Sequence, residues 1–350
     1  MKFLTHVLLI ISLLSTAVTR AQEPKSANKT SSEQDVDRLT IDTNLVTVPV
    51  IASSRTGSYV ADLKKEEFKL TEDGVAQEIA FLASVDAPFY VVLMLDTSNS
   101  TKEKLPLIQQ AAMDFLEQIR PNDKVKIISF DGVLVSWDDF TSDKTILRSA
   151  ISKTRTNNST RVYDAVQLAL DSLRPIQQRK AIVLFTDGVD SYSKRSSFES
   201  TVRDLDESGV IVYPIRFNTR VETEKMVQLQ VADANLGRLS RVPNPEKIGN
   251  APPPNAKIPA MLDNAYLLAD SYLRKLADRS GGQLYRADTV ASLPKAFAAI
   301  AAELRTQYLL GYYPTNKSDD AAYRKIQVKT SRKDIAIRAR RGYRPKNAVP

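Results

Sequence analysis

The 350-residue sequence predicts an α/β protein: a doubly wound, mostly parallel sheet inserted between N- and C-terminal β segments that can form one β-sandwich. Continuous apolar runs of strand length, such as residues 89–95 (Phe-Tyr-Val-Val-Leu-Met-Leu), lack the alternation of a half-exposed strand and fit strands covered on both faces. Segments with apolar residues spaced by threes and fours, as helices require, separate these runs. Both flanks carry short Val- and Thr-rich or basic-apolar alternating stretches broken by turn residues, the pattern of small antiparallel units.

Residues 1–21 combine Lys2, the apolar run 7–14 and small residues up to Ala21, the pattern of a cleaved export signal. The run falls short of the roughly 20 apolar residues that span a bilayer, and no later run approaches that length, so the expected location is periplasmic or secreted with no retained membrane span. Residues 22–37, rich in Ser, Lys, Glu and Asp, read as a flexible leader. Residues 38–86 form the expected N-terminal β segment, with turns at Arg55-Thr56-Gly57-Ser58 and Glu72-Asp73-Gly74. The α/β domain is expected over 87–306. Its strands fall at 89–95, 125–130, 181–185, 210–217 and 283–286, with an antiparallel edge strand at 133–137. Its helices fall at 103–119, 144–153, 162–173, 198–208, 265–279 and 292–306. A Pro- and Asn-rich stretch at about 218–264, centred on Pro252-Pro253-Pro254, reads as a partly extended insertion. Residues 307–350 return to strands at 308–313, 324–329 and 335–340.

The chain has no Cys, and its single His, His6, lies inside the expected signal. Cys or His zinc sites, Cys nucleophiles, Ser-His-Asp triads and disulfides therefore drop out for the rest of the chain. Any metal must be held by oxygen, which favours Mg²⁺, with Mn²⁺ or Ca²⁺ possible.

One constellation carries chemistry. The strand ending at Leu95 runs into Asp96-Thr97-Ser98-Asn99-Ser100, where a tight loop can aim a carboxylate and two hydroxyls at one point. Capping of the following helix explains Asp96 and the serines equally well. Suitable groups recur at two further strand–helix junctions: Thr160 before the helix at 162, and Asp187 in Thr186-Asp187-Gly188 at the tip of the strand 181–185.

These residues resemble the metal-ion-dependent adhesion site of the von Willebrand factor type A (VWA) domain, with its Asp-x-Ser-x-Ser, a distant Thr and a Thr-Asp-Gly. The segments Glu66 to Gly74, Ser280-Gly281-Gly282, Tyr308 to Pro314 and Arg340 to Tyr343 also look like an exported, VWA-related bacterial family abundant in Acidobacteria. The resemblance implies a Rossmann-like VWA fold. It further implies that Asp96, Ser98, Ser100, Thr160 and Asp187 bind a divalent cation, with one coordination position left for an acidic side chain of a protein partner. A divalent-cation-dependent protein–protein interaction or adhesion role follows, rather than an enzyme.

The sequence leaves two alternatives open. The protein could be an envelope scaffold that binds through its β-sandwich or insertion without metal. A Mg²⁺-dependent hydrolase is weaker, because phosphatases of the haloacid dehalogenase type need a second Asp where Ser98 stands, and no phosphate-binding loop or dinucleotide fingerprint is present. Asp131 and Asp190 read as solvated loop carboxylates, Asp164 and Arg161 as capping and surface pairing, and Trp137 as core.

The net charge of +8 is unevenly placed: residues 323–346 hold ten basic side chains and one acid, Asp334. Lys325 and Lys329 alternate with Ile326 and Val328, and Arg338 and Arg340 with Ile337 and Ala339. The expected structure is a hairpin with a cationic outer face, either solvated or touching an anionic envelope surface. No nucleic-acid recognition module is evident.

Overall fold

A computed structural model describes residues 45–83, 85–157, 159–239, 258–287, 289, 292–318 and 320–345. The expected signal, the leader and the triple-proline centre of the insertion lie outside the described residues. Among those described, no helix is long and apolar enough to cross a membrane.

The N-terminal flank contributes β1 (Val46–Ser54), β2 (Phe68–Glu72), β3 (Val75–Gln77) and β4 (Ile79–Ala83). The central region then alternates β5 (Phe89–Asp96), α1 (Leu105–Gln118), β6 (Lys124–Phe130), β7 (Leu134–Thr141), α2 (Lys144–Lys153), α3 (Val162–Leu173) and β8 (Arg179–Thr186). It continues with α4 (Phe198–Ser208), β9 (Ile211–Arg216), α5 (Arg220–Leu239), α6 (Ile258–Ser280), β10 (Tyr285–Arg286) and α7 (Leu293–Thr306). The C-terminal flank adds β11 (Tyr308–Tyr312), β12 (Arg324–Thr330), β13 (Ile335–Ala339) and β14 (Gly342–Tyr343).

The central sheet runs β10-β9-β8-β5-β6-β7. All its pairings are parallel except that of β7, which lies antiparallel on β6 as the short turn between them predicts. The apolar runs resolve into two faces. Val91, Leu93 and Leu95 of β5 pack with Ile108 and Phe115 of α1 and Phe297 of α7. Val92 and Met94 pack on the opposite side with Val162 and Ala165 of α3, Leu205 of α4 and Leu273 of α6. Each such Val, Leu, Ile, Met or Phe side chain, fully removed from water, contributes about 1.5–3 kcal/mol, and this two-sided burial is why the run shows no polar alternation.

Helix ends follow local chemistry. The Asp143 carboxylate accepts the Thr145 and Ile146 amides at the start of α2, and Ser197 and Ser200 form a reciprocal cap on α4, which stops at Gly209 with φ 65°. The insertion departs from expectation: residues 220–239 are helical, and α6 begins at Ile258 instead of near residue 265. Between 220 and 239 there is no Pro, and Glu, Lys, Met, Gln, Leu and Ala favour helix. Pro259 falls in the first turn of α6, where its missing N–H breaks no hydrogen bond.

The two flanks interleave. One small sheet has the order β13-β1-β11-β4 and the other β14-β12-β2-β3, so each combines strands from both ends of the chain. Their inner faces share one apolar cluster, with Val48, Val50 and Leu310 from the first and Phe68, Leu70, Ile326 and Val328 from the second. Buried Glu72 closes this interior, accepting the hydroxyls of Tyr312 at 2.6 Å and Tyr343 at 3.0 Å and pairing with Arg324 at 3.4 Å. Tyr313, the next residue, is exposed.

The expected basic hairpin does not form. β12 pairs with β2 and β14, whereas β13 pairs with β1 in the other sheet. The arginines explain the split, since Arg324, Arg338 and Arg340 find buried acids or a carbonyl that one outward face could not reach. Arg324 meets Glu72, Arg338 meets Glu303, Arg332 meets Asp62 and Glu67, and Arg340 is buried with its guanidinium donating to the Asp206 carbonyl. Lys325, Lys329, Lys333 and Arg341 remain exposed.

Gly282 joins α6 to the sheet at a point without room for a side chain, because a Cβ there would lie 1.9 Å from the Val212 carbonyl oxygen. Gly282→Ala is expected to destabilise the protein by about 3 kcal/mol, read as a lower midpoint of thermal unfolding. An unchanged midpoint would show that this junction relaxes freely.

Candidate metal centre

β5 and β8 are neighbours, yet the helices that follow them leave to opposite sides: α1 joins the cluster on one face of the sheet and α4 the cluster on the other. The crevice so opened at the carboxyl ends of the strands is where doubly wound folds bind ligands. β5 ends there on Asp96 and β8 on Thr186, with Asp187 next.

Four of the expected site residues form one hydrogen-bonded string. The Ser98 amide donates to Asp96 Oδ1 at 3.0 Å, the Ser98 and Ser100 hydroxyls are 3.1 Å apart, and Ser100 Oγ donates to Asp187 Oδ2 at 3.2 Å. Val189 N donates to Asp187 Oδ1 at 2.9 Å. The chain can turn here because Gly188 takes φ 82°, and a Cβ at that position would press to 2.9 Å of Leu273. The fifth residue, Thr160, is buried on the loop entering α3 but makes no hydrogen bond to the other four among the described residues. Its loop is tied to theirs through Asn157, whose amide donates to the Thr97 carbonyl at 3.0 Å.

Two further hydroxyls hold the carboxylates and were not anticipated. Thr186 Oγ1 donates to Asp96 Oδ2 at 2.6 Å, and Thr219 Oγ1 donates to Asp187 Oδ2 while sharing a 2.7 Å contact with the Tyr266 hydroxyl. Thr186 stood in the recognised Thr-Asp-Gly. Thr219 had only one available signal, its place just beyond the carboxyl end of the strand next to β8.

Asp96 is fully buried and Asp187 nearly so. Burial, and then the neighbouring Asp187 charge, pushes the Asp96 carboxyl up to about 7, and burial likewise raises Asp187. Among the described residues neither carboxylate forms an ion pair, and no three acidic groups gather at one point. The crevice is therefore poor in carboxylates, rich in hydroxyls and short of positive charge. Hard oxygen donors of this kind fit a cation such as Mg²⁺.

The surrounding loops are fixed by acids. Asp131, expected to be solvated, is buried and accepts Thr97 Oγ1 at 2.9 Å and the Val133 amide at 2.7 Å, clamping the residue beside Asp96. Asp190 accepts the Ser193 amide and hydroxyl at 3.1 and 2.6 Å. Asp164 pairs with Arg161 at 2.9 Å and accepts the amides of Lys194, Arg195 and Ser196. Burial pushes the Asp164 carboxyl upward, but these amides and Arg161 outweigh it and hold it below the usual range. A depressed pKa stabilises the fold at pH values above the unfolded carboxyl's own, and this contribution is lost as pH falls through the folded value. Asp164→Ala is expected to destabilise by about 1–3 kcal/mol, most visibly at neutral pH, and to loosen the segment that carries Thr160. Equal melting of variant and parent at pH 7 would rule this out.

Beyond β9, α5 crosses the turn that follows Ser98. Lys104 pairs with Glu222 at 2.8 Å and donates to the Asn218 carbonyl at 2.7 Å, while Asn99 Nδ2 lies 3.1 Å from Met226 Sδ. One side of the crevice is thus walled by the inserted helix.

A family model described as von Willebrand factor type A domain matches residues 91–189. The human von Willebrand factor A domain-containing protein 3B is 25% identical over 148 residues, 41% of this chain and 11% of that protein. The chain therefore matches about a tenth of the length of that relative. Among solved structures, an aerotolerance-related membrane protein from Bacteroides fragilis is similar at 18% identity and a TM-score of 0.41, covering 62% of this chain and 98% of that one. Proximal thread matrix protein 1 from the mussel byssus, with a zinc-occupied MIDAS motif, is similar at 14% identity and a TM-score of 0.45, covering 65% and 48%.

Proposed function

Because the chain is a von Willebrand factor type A domain protein, we propose that it binds a protein partner through a divalent cation held by Asp96, Ser98, Ser100, Thr160 and Asp187. The observation that carries this reading is the pair of buried carboxylates joined by serine hydroxyls and, among the described residues, lacking any ion-paired cation. Two charges left so would repel each other in a medium that screens them poorly, a cost that an ion of opposite charge removes.

Ser98 and Ser100 offer neutral oxygens, Asp96 and Asp187 supply the charge, and Thr160 adds a further hydroxyl from its own loop. A bound cation with so few carboxylates keeps enough positive character to attract an acidic side chain of the partner. Mg²⁺ suits this set best, Mn²⁺ closely follows, and Ca²⁺, which takes 6–8 oxygens, suits it less. The role is binding and adhesion rather than catalysis, exercised after export directed by residues 1–21.

The test is capture of partners from an envelope extract with Mg²⁺ and with chelator, using the parent chain and Asp96→Ala. Capture that depends on both the ion and Asp96 is expected. Capture unaffected by chelator would instead support an ion-independent scaffold.

A further inference from the structure

We propose that the groove between β12, β13 and the last turns of α6 is a docking site for an acidic, extended peptide segment of a partner protein, separate from the cation crevice. The groove has a volume of about 840 Å³ and is lined by apolar Ile326, Val328 and Ile337 and by cationic Lys275, Lys325 and Arg341.

Backbone pairing runs out on both sides of it. β12 is bonded to β2 along most of its length, but its other edge meets β14 only at Arg324 and Lys325, followed by the Ile326 amide donating to the Arg341 carbonyl at 2.9 Å. In an antiparallel strand alternate residues direct both N–H and C=O to the same edge. Val328, two residues after Ile326, therefore offers its backbone groups to the groove. Opposite it, β13 is the outermost strand of its sheet. Two strand edges whose backbone groups have no partner among the described residues form a site for strand addition.

Charge selects the occupant. Lys275, Lys325 and Arg341 are exposed and form no ion pair among the described residues, and Asp278 is the single acid among the lining residues. Arg338 and Arg340 also line the groove, and among the described residues each has a buried guanidinium nitrogen, Nη1 and Nε respectively, with no acceptor. Arg340 is only 4% exposed. A segment that alternates carboxylate and apolar side chains would place its acids on Lys275, Lys325 and Arg341, its apolar groups beside Ile326, Val328 and Ile337 at the open edge of the sandwich, and its backbone on the strand edges. An anionic lipid surface would read the cations alone and leave the edges unused.

The experiment uses the whole chain in chelator, so that the cation crevice plays no part. The probe is a short fluorescent peptide alternating Glu with Val and Thr, followed by anisotropy. Binding is expected, with affinity falling about tenfold in the Lys325→Glu/Arg341→Glu variant. Both positions are exposed, so an unchanged thermal midpoint would show that the variant folds. Loss of binding on N-methylation of alternate peptide amides is also expected, because it blocks strand pairing and keeps the charge. Undiminished binding by the double variant, or equal binding of the N-methylated peptide, would overturn the proposal. So would binding of phosphatidylglycerol vesicles that the peptide cannot displace.

Discussion

Asp96→Ala is expected to lower the affinity for Mg²⁺ or Mn²⁺ by about a hundredfold or more, because it removes one of only two charged donors and lets the Ser98 turn relax. Isothermal titration of the parent and the variant measures this directly. Equal affinities would remove the crevice from consideration as the binding site.

A pH dependence accompanies it. The folded-state pKa of Asp96 is raised from 3.8 to about 7, so between these values the folded, cation-free protein holds a proton that the unfolded chain has released. Where the folded state binds more protons, stability falls as pH rises. Cation-free protein should therefore melt at a lower temperature at pH 8 than at pH 5.5 on account of this pair. Added Mg²⁺ should reverse the loss, and its affinity should increase as pH rises through about 7, since the ion and the proton compete for the same oxygens. Asp96→Asn keeps the shape but removes the titration. Its cation-free melting temperature should respond less to pH in this window, although it no longer binds the ion. A variant as pH-sensitive as the parent would assign the dependence to other groups.

Glu303→Ala is expected to destabilise the protein by about 3–5 kcal/mol, a fall in melting temperature on the order of 10 °C. Glu303 lies on α7, buried, and accepts the hydroxyls of Tyr59 and Tyr285 at 2.9 Å each together with the guanidinium of Arg338 on β13. It thus joins the last helix of the α/β region to both flanking segments. Removing it strands the Arg338 charge, which among the described residues already has one nitrogen with no acceptor. Replacing both partners, as in Glu303→Leu with Arg338→Met, removes the pair without leaving an unpaired charge and should cost less than the single change. A loss below about 1 kcal/mol for Glu303→Ala would show that water reaches and solvates the arginine.

Part of the site was legible because it is local. Asp96, Ser98 and Ser100 lie within five residues of one strand end, and Asp187 follows a second buried run, so the sequence placed each of them at a strand tip, and the structure brings those tips into one hydrogen-bonded string. Thr219 escaped because its link to Asp187 depends on β9 lying beside β8, an order that no spacing along the chain reports. Asp131 was misjudged for the same reason: an acid in a loop looks solvated until the neighbouring strand end brings Thr97 over it.

The same division holds for the whole molecule. Strands β5, β6, β8 and β9 and helices α1, α2, α3, α4 and α7 were fixed by apolar period and by end signals, which act over a few residues and so are written in the chain. Where the basic strands of the C-terminal flank would go was not. An alternation of cations with apolar residues is equally satisfied by a hairpin facing water and by strands divided between two sheets. What separated β12 from β13 was the position of Glu72, Glu303 and Asp206, remote in sequence, which take up the arginines inside the fold. Burying those charges is tolerable only beside such partners, and the partners meet only when both flanks and the α/β region have packed together.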